Sequence, residues 1–331
     1  MKVLVTGGTG FIGGNLVRLL LKKGFQVRAL VRKTSSLKNL QNLEVELAYG
    51  DLRNKSSLIP ACRGCDQLYH VAASYQFWSP NPREFYDINV EGTKNILGAA
   101  RDIGTIQKIV YTSTVGTIRY PDDPTKPSDE RSFPRERDLH NDYKRSKFEA
   151  ERIAIRFARD GLPIVIVNPS TPIGPWDMKP TPTGKIIVDF LNGKVPAYVE
   201  TGLNIIDVED VAMGHLLAAE KGEIGNRYIL GNKNMSLKEI YELIAKLGNR
   251  KPPRFKIPYS LALTAAFGSE LIGKILNKRP SIEIGAVKMA KKYMYFSPAK
   301  AIRDLGLPQS PVEKAFEKAI DWFKQNGYLE N

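Results

Sequence analysis

Short apolar runs alternate with amphipathic stretches through the first half of the chain. The runs fall at Lys2–Thr6, Gln26–Val31, Glu44–Tyr49, Gln67–Val71, Lys108–Ser113 and Pro163–Asn168. Each has the length and composition of a strand buried on both faces. Between them, Phe11–Lys23, Glu84–Asp102 and Asn141–Asp160 repeat apolar positions at helical spacing. Strand alternating with helix predicts an α/β fold: a doubly wound parallel sheet with right-handed crossovers.

Past Asn168 the rhythm changes. The stretch "NPSTPIGPWDMKPTPTG" holds five prolines and predicts an ordered loop on the substrate side. Asp207–Lys221 is helical in pattern and Arg227–Gly231 reads as one more strand. Ser236–Gly248 opens with a capping-box pair, Ser236 and Glu239. Helices are expected to dominate the remainder, ending with Pro311–Asn326.

Five glycines crowd the first fourteen residues, directly after a strand and at the start of a helix. Gly7, Gly10 and Gly13 have the spacing of a dinucleotide turn. That turn needs a tight bend, close approach of backbone to a pyrophosphate, and close helix–strand packing. The helix N-terminus adds unpaired N–H groups and a positive dipole end. The second strand ends in "VRALVRKTS", with no carboxylate near Val31 and with Arg32 and Lys33 following. An acid there would bond the ribose hydroxyl of NAD, whereas arginine forks onto a 2′-phosphate. The expected cofactor is therefore NADP(H) rather than NAD(H). Residues 1–169, rejoined by 203–232, are expected to form this Rossmann-type domain. Residues 170–202 and 233–331 then form a smaller, mainly helical substrate-binding domain.

Charge alters this picture little. The net +14 is spread along the chain with acidic residues interleaved, which suits a solvated surface or an anionic small molecule rather than nucleic acid. Cys62 and Cys65 stand alone, and His70, His140 and His215 lack ligand spacing. Reduced structural thiols and no metal are expected. No run approaches the roughly 20 apolar residues that span a bilayer, and the chain opens straight into its first strand, so a cytoplasmic protein is expected. Tyr259–Leu276 is apolar with few charges. It reads as a core helix, with peripheral membrane contact as the alternative.

The chemistry concentrates in "DYKRSKFEAERI". Tyr143 and Lys147 lie four residues apart in a helical pattern and so share a face. A phenol ordinarily titrates near pH ~10, and a neighbouring ammonium favours its ionised form. "KIVYTSTVGTI" ends the fifth strand with Thr112, Ser113 and Thr114 at the carboxyl edge of the sheet, where ligands of open α/β sheets sit. One of these hydroxyls can hold a substrate oxygen while Tyr143 moves its proton.

"TGGTGFIG", "GDL" at Gly50–Leu52, "HVAA" at His70–Ala73, "NVEGT" at Asn89–Thr93, the hydroxyl cluster and "YKRSK" resemble the extended short-chain dehydrogenases/reductases, in that family's order. "IIDVEDVAMGH" at Ile205–His215 resembles a later family segment. The resemblance implies a catalytic hydroxyl at Thr114, a threonine where serine is usual, with Tyr143 and Lys147. It implies Asn89 as the end of a proton relay; an asparagine bonding backbone across a helix is the competing reading. It also implies cofactor contacts at Gly7, Thr9, Gly10, Phe11, Ile12 and Gly13, at Asp51 and Leu52 by the adenine, and at Val71, Ala72 and Ala73 by the phosphates. Thr112, Pro169 and Ser170 complete the cofactor set. Asp51 and Ala72 serve equally well as packing residues at strand ends. Ser74, Tyr75, Trp78, Thr114, Thr171 and Trp176 are the substrate-side candidates, the aromatic ones with packing as the alternative.

Within that family the "FTS"-like strand end and "NPS" segment resemble dihydroflavonol reductases. The wider pattern around them, and "KMAKKYMYFSPAKAIRDLG", resemble the hopanoid-associated sugar epimerase group. Arg32 and Lys33 favour a reductase with exchangeable NADPH over an epimerase that recycles its cofactor. A cofactor-sensing regulator on the same fold is the reading from another class. The family's habit of pairing through Glu84–Asp102 and Asn141–Asp160 implies a homodimer.

Overall fold

The computed structural model describes residues 1–75, 81–139, 141–275, 284–290 and 292–330. Its main sheet has seven parallel strands. From one edge to the other they are Arg227–Leu230, Ile164–Pro169, Lys108–Thr112, Gln67–His70, Lys2–Thr6, Gln26–Val31 and Val45–Tyr49. The chain builds outward from Lys2–Thr6 in one direction, then crosses to Gln67–His70 and builds in the other. The crevice between those two strands is the topological switch point, where ligands of such sheets bind. This is a Rossmann-type α/β fold.

Both faces of the sheet are covered. On one, helices Phe11–Lys22 and Val208–Lys221 bury Leu16, Leu20, Val211 and Leu216 against Val3, Val5 and Val165. On the other, Lys55–Cys62, Gly92–Ile103 and Asp142–Arg159 bury Leu58, Ile96, Ala150 and Ala154 against Leu4, Leu68 and Ile166. Lys55–Cys62 escapes sequence reading because it is short and contains Pro60; the Asn54 side chain caps it by accepting from the Ser56 N–H. The expected Glu84–Asp102 helix runs from Arg83 to Ile103, with a π-helical turn at Tyr86–Glu91. Such turns are rare and often sit at functional sites.

The second half differs from expectation in three places. The proline-rich stretch is not all loop. It holds the strand Thr171–Ile173 and leads into helix Pro182–Leu191, where Pro182 occupies the first turn and its missing N–H costs nothing. Strands also persist beyond the helices: Gly202–Asp207 pairs with Thr171–Ile173, Lys233–Ser236 and Tyr293–Met294. Helices Leu237–Leu247 and Val312–Gln325 pack Ile244, Phe316 and Phe323 into the same cluster as Ile205. The core-helix reading of Tyr259–Leu276 also fails over its described part. Helix Tyr259–Ile275 lies outside these layers against Ile284–Met289 and presents Leu261, Phe267, Leu271 and Ile272 to solvent. An apolar composition does not itself supply a layer to bury against.

Two buried histidines tie the ligand edge of the sheet to its helices. His70 Nδ1 pairs with Thr6 Oγ1 at 2.8 Å and its Nε2 with Thr93 Oγ1 at 3.1 Å. His215 Nε2 pairs with Thr112 Oγ1 at 2.9 Å and its Nδ1 with the Val211 carbonyl at 2.7 Å. Burial holds both rings neutral, lowering His70 to about 3 and His215 to about 4. An unfolded chain takes up these protons near pH ~6.5, well before the folded one does. Stability contributed by the neutral rings is therefore full above about 6.5 and is lost as pH falls toward 4. In urea unfolding between pH 7 and 5, His215→Gln should flatten the acid-side slope by up to one proton, about 1.4 kcal/mol per pH unit. An unchanged slope would show that His215 protonates equally in both states.

Candidate active site

The glycine turn leads directly from the first strand to the switch point. Gly7 has φ +74°, and a Cβ there would lie 2.6 Å from the Ala72 nitrogen. A Cβ on Gly13 would drive into the Gly7 carbonyl. Gly10 caps helix Phe11–Lys22 with no side-chain partner, and Thr9, Phe11 and Ile12 complete the turn. Helix–strand contact and a bare helix N-terminus thus coincide, as a bound pyrophosphate requires. Val71, Ala72 and Ala73 run past the turn, the Ala72 N–H donating to Thr6 Oγ1 at 3.1 Å. The residues present fit a dinucleotide.

Arg32 and Lys33 follow the second strand and are exposed. The Arg32 backbone N–H donates to Ser35 Oγ at 3.2 Å. Asp51 lies after the neighbouring strand, where Arg53 grips its carboxylate at 3.0 and 2.6 Å. That pairing, offset by partial burial and helped by the nearby Arg32 charge, holds the Asp51 carboxyl below its ordinary value. Leu52 beside it is buried.

Tyr143 sits in the first turn of helix Asp142–Arg159, which Asn141 caps through the Lys144 N–H at 2.8 Å. Its ring is buried, its hydroxyl shares a hydrogen bond with the Thr114 side chain, and Tyr75 packs edge-on with centroids 5.2 Å apart. Burial first, then the neighbouring Tyr75, raises the phenol above its ordinary value; the Thr114 bond opposes this. Lys147 lies one turn on, its Nζ donating to the Thr112 carbonyl at 2.8 Å and the Tyr111 hydroxyl at 3.3 Å. Desolvation lowers it to about 8, partly countered by Glu151. In the free protein the phenol is therefore held protonated, because burial outweighs a cation turned toward the strand rather than toward the ring.

Other predicted residues take different partners. The Thr112 hydroxyl lies on His215 and its carbonyl on Lys147. Asn89, in the π-helical turn, accepts from the Ser74 N–H at 2.8 Å and donates to Ser146 Oγ at 3.0 Å. It thereby fixes the segment Ser74–Tyr75 against the Tyr143 helix. Pro169 ends its strand, and Ser170, whose buried hydroxyl has no hydrogen-bond partner among the described residues, precedes Thr171. The Trp176 ring is stacked under the Arg18 guanidinium at 3.5 Å and lies 6.2 Å from Trp322. Trp78 lies outside the described residues. Cys62 and Cys65 are buried free thiols, and burial pushes Cys62 up to about 12.

Sequence reading missed the group that holds the hydroxyl turn. Glu151 Oε2 accepts from Thr117 Oγ1 and from Asn168 Nδ2, each at 2.8 Å, and its Oε1 pairs with Arg227 at 3.0 Å. Asn168 also donates to the Thr114 carbonyl at 3.1 Å. Four side chains from a helix, two strands and the turn thus meet beneath Thr114. The spacing Tyr143, Lys147, Glu151 was a usable signal, since all three share one helix face. No such signal marked Lys144. It is buried beside Tyr143, its amine bonded to the Tyr120 hydroxyl and 4.0 Å above that ring, and burial lowers it to about 7.

A dinucleotide turn at the switch point, a hydroxyl turn after strand Lys108–Thr112 and a Tyr/Lys helix packed on that turn are the marks of an oxidoreductase-type Rossmann enzyme. Residues 3–231 match the NAD dependent epimerase/dehydratase family, and the chain belongs to it. A protein provisionally named dihydroflavonol 4-reductase, from Synechocystis sp., is 47% identical over 98% of this chain and 95% of its own. Sterol demethylase protein B of Methylococcus capsulatus is 33% identical over 99% and 100%. The solved structure of gox2253 superposes with a TM-score of 0.89 at 43% identity, covering 99% of both chains.

Removing the Glu151 carboxylate leaves Arg227 buried and unpaired. Glu151→Ala should cost about 3–5 kcal/mol in denaturant unfolding, whereas Thr117→Val, which removes a neutral hydroxyl bonded to Glu151, Asn168, Ser113 and the Thr114 carbonyl, should cost less, ~1–3 kcal/mol. Equal losses would deny Glu151 its place at the centre of the group.

Proposed function

We propose that the protein is an NADP(H)-dependent oxidoreductase that reduces the ketone or aldehyde carbonyl of a small molecule, with Tyr143 as general acid. The observation that carries this is the buried Tyr143 phenol, favoured toward ionisation by the Thr114 side chain, with Lys147 one helical turn away. Thr114 orients the substrate oxygen and Tyr143 donates the proton that oxygen needs once it becomes an alkoxide. A phenol held protonated by burial is in the state a reduction requires. Lys147, one helical turn away and bonded to the strand, places a positive charge on the same helix face and limits the cost of ionising that phenol. Ser74, Tyr75 and Thr171 line the substrate side, and Asn89 holds Ser74 and Tyr75 in place. Trp176 is assigned to ordering the glycine turn.

NADP(H), when bound, supplies the hydride. Gly7, Thr9, Gly10, Phe11, Ile12 and Gly13 hold its pyrophosphate, with Val71, Ala72 and Ala73 alongside. Asp51 and Leu52 flank its adenine, and Thr112, Pro169 and Ser170 border its nicotinamide. Arg32 and Lys33 take the 2′-phosphate; an Asp51 already neutralised by Arg53 supports this. Residues 1–169 with 203–232 serve as the cofactor domain, and 170–202 with 233–331 as the substrate domain. The buried free thiols suit a reducing, cytoplasmic setting. A homodimer through the Gly92–Ile103 and Asp142–Arg159 helices follows the family's habit.

A second reading, nucleotide-sugar epimerisation through a keto intermediate, draws on the family's description. Cofactor consumption separates the two: a reductase oxidises NADPH in step with carbonyl added, whereas an epimerase inverts a nucleotide sugar with no net change in cofactor. Tyr143→Phe should lower kcat by roughly 10²–10⁴-fold with NADPH binding retained, and full activity in that variant would remove the phenol from the mechanism. Arg32→Ala should weaken NADPH, but not NADH, by about tenfold or more, the value of a charged hydrogen bond. Equal weakening of both cofactors would point away from the 2′-phosphate.

A further inference from the structure

Helix Tyr259–Ile275 inverts the usual distribution of polarity. A surface helix ordinarily turns its charges outward. Here no exposed position from Tyr259 to Gly273 is charged. Leu261, Phe267, Leu271 and Ile272 are 60%, 55%, 61% and 57% exposed, and at 100° per residue they fall within one arc, with Thr264 between them and Ala265 at its edge. The opposite arc holds the buried Ala266 and Gly273. Glu270 is turned toward the neighbouring helix, its carboxylate accepting from the Ile284 N–H at 3.0 Å. The preceding strand adds Phe255, 74% exposed.

Along the sequence, charge is concentrated on either side of this helix. In sequence, residues 250–292 carry ten lysines and arginines against two glutamates, so this segment holds +8 of the chain's +14. Lys251, Arg254 and Lys288 are among its exposed members. Among the described residues no helix is long and apolar enough to cross a membrane. At 17 residues this one is about 26 Å long, short of the roughly 30 Å hydrocarbon core.

We propose that this face docks on the surface of an anionic lipid bilayer, the helix lying in the plane of the interface with its apolar arc among the acyl chains and the surrounding cations at the headgroups. Exposed apolar area and adjacent positive charge are the two terms that drive such binding. A second copy of the chain fits less well, because a two-fold contact would set one +8 segment against another. The proposal is independent of which carbonyl the active site takes.

Flotation of the intact protein with vesicles tests it. Phosphatidylglycerol/phosphatidylcholine vesicles should carry the protein upward, with binding about tenfold or more weaker to phosphatidylcholine alone and weakened by salt. The exposed-residue variant Leu261→Gln/Phe267→Gln/Leu271→Gln/Ile272→Gln should lose flotation while keeping its thermal stabilisation by NADP. Lys251→Glu/Arg254→Glu, which leaves the helix untouched, should weaken binding to the anionic vesicles only. The proposal is overturned if the wild type stays at the bottom of the gradient with anionic vesicles at low salt. It is likewise overturned if neutral vesicles bind equally well. Light scattering that shows a dimer split by the four-residue variant, without flotation, would assign the face to a second copy.

Discussion

The arrangement of this site rests on a carboxylate buried beneath the hydroxyl turn. Glu151 is almost wholly buried yet ionisable, and burying such a group is tolerable only with a cation and donors around it. It has all of them: Arg227 from the edge strand, Asn168 from the adjacent strand and Thr117 from the hydroxyl turn. The Arg227 guanidinium also donates to the Glu130 carbonyl, while Glu130 accepts from the Ile229 N–H at 2.8 Å. A helix, two strands and a loop are therefore locked at one point, two turns below Tyr143. Displacing any of them strands a buried polar group. That requirement keeps Thr114 within reach of the phenol.

The same burial governs proton positions. Tyr120 and Tyr143 are buried and held protonated by desolvation, and Tyr75, half-exposed, packs its inner edge on Tyr143. The two lysines nearby are pushed the opposite way, to about 8 for Lys147 and about 7 for Lys144. A dry, phenol-rich pocket favours neutral forms of acids and bases alike.

Order in the glycine turn comes from the second half of the chain. Asn39 donates to the carbonyls of Thr9, Gly10 and Trp176 at 3.1, 3.3 and 3.3 Å. Asn15 donates to the Pro175 carbonyl at 3.0 Å. Trp176 itself has φ +74°, a left-handed conformation costly for a bulky residue. It persists because the ring is held between Arg18 and Trp322 while its carbonyl is held by Asn39. A segment that reads as a proline-rich loop thus becomes part of the wall behind the turn. Asp177, next in sequence, is buried and raised to about 6 by desolvation; it accepts from the Thr181 N–H and hydroxyl at 2.8 Å. This fastens the segment to helix Pro182–Leu191.

The amino-acid sequence by itself determined the features that depend on local periodicity. The parallel sheet, its switch point, the glycine turn and the shared face of Tyr143 and Lys147 all follow from spacings of two, three or four residues, and strand and helix impose those spacings wherever they form. Only the tertiary structure decided which partners the side chains met. The Thr112 hydroxyl turns to His215, 103 residues away, and Asn89 bonds Ser146 rather than the lysine beside it. Arg227 reaches Glu151 across 76 residues. Helix Tyr259–Ile275 was legible as apolar, but its burial depended on whether another layer lay over it. Periodicity assigns a side chain to a face; what lies opposite that face is set by distant chain, and no local pattern encodes it.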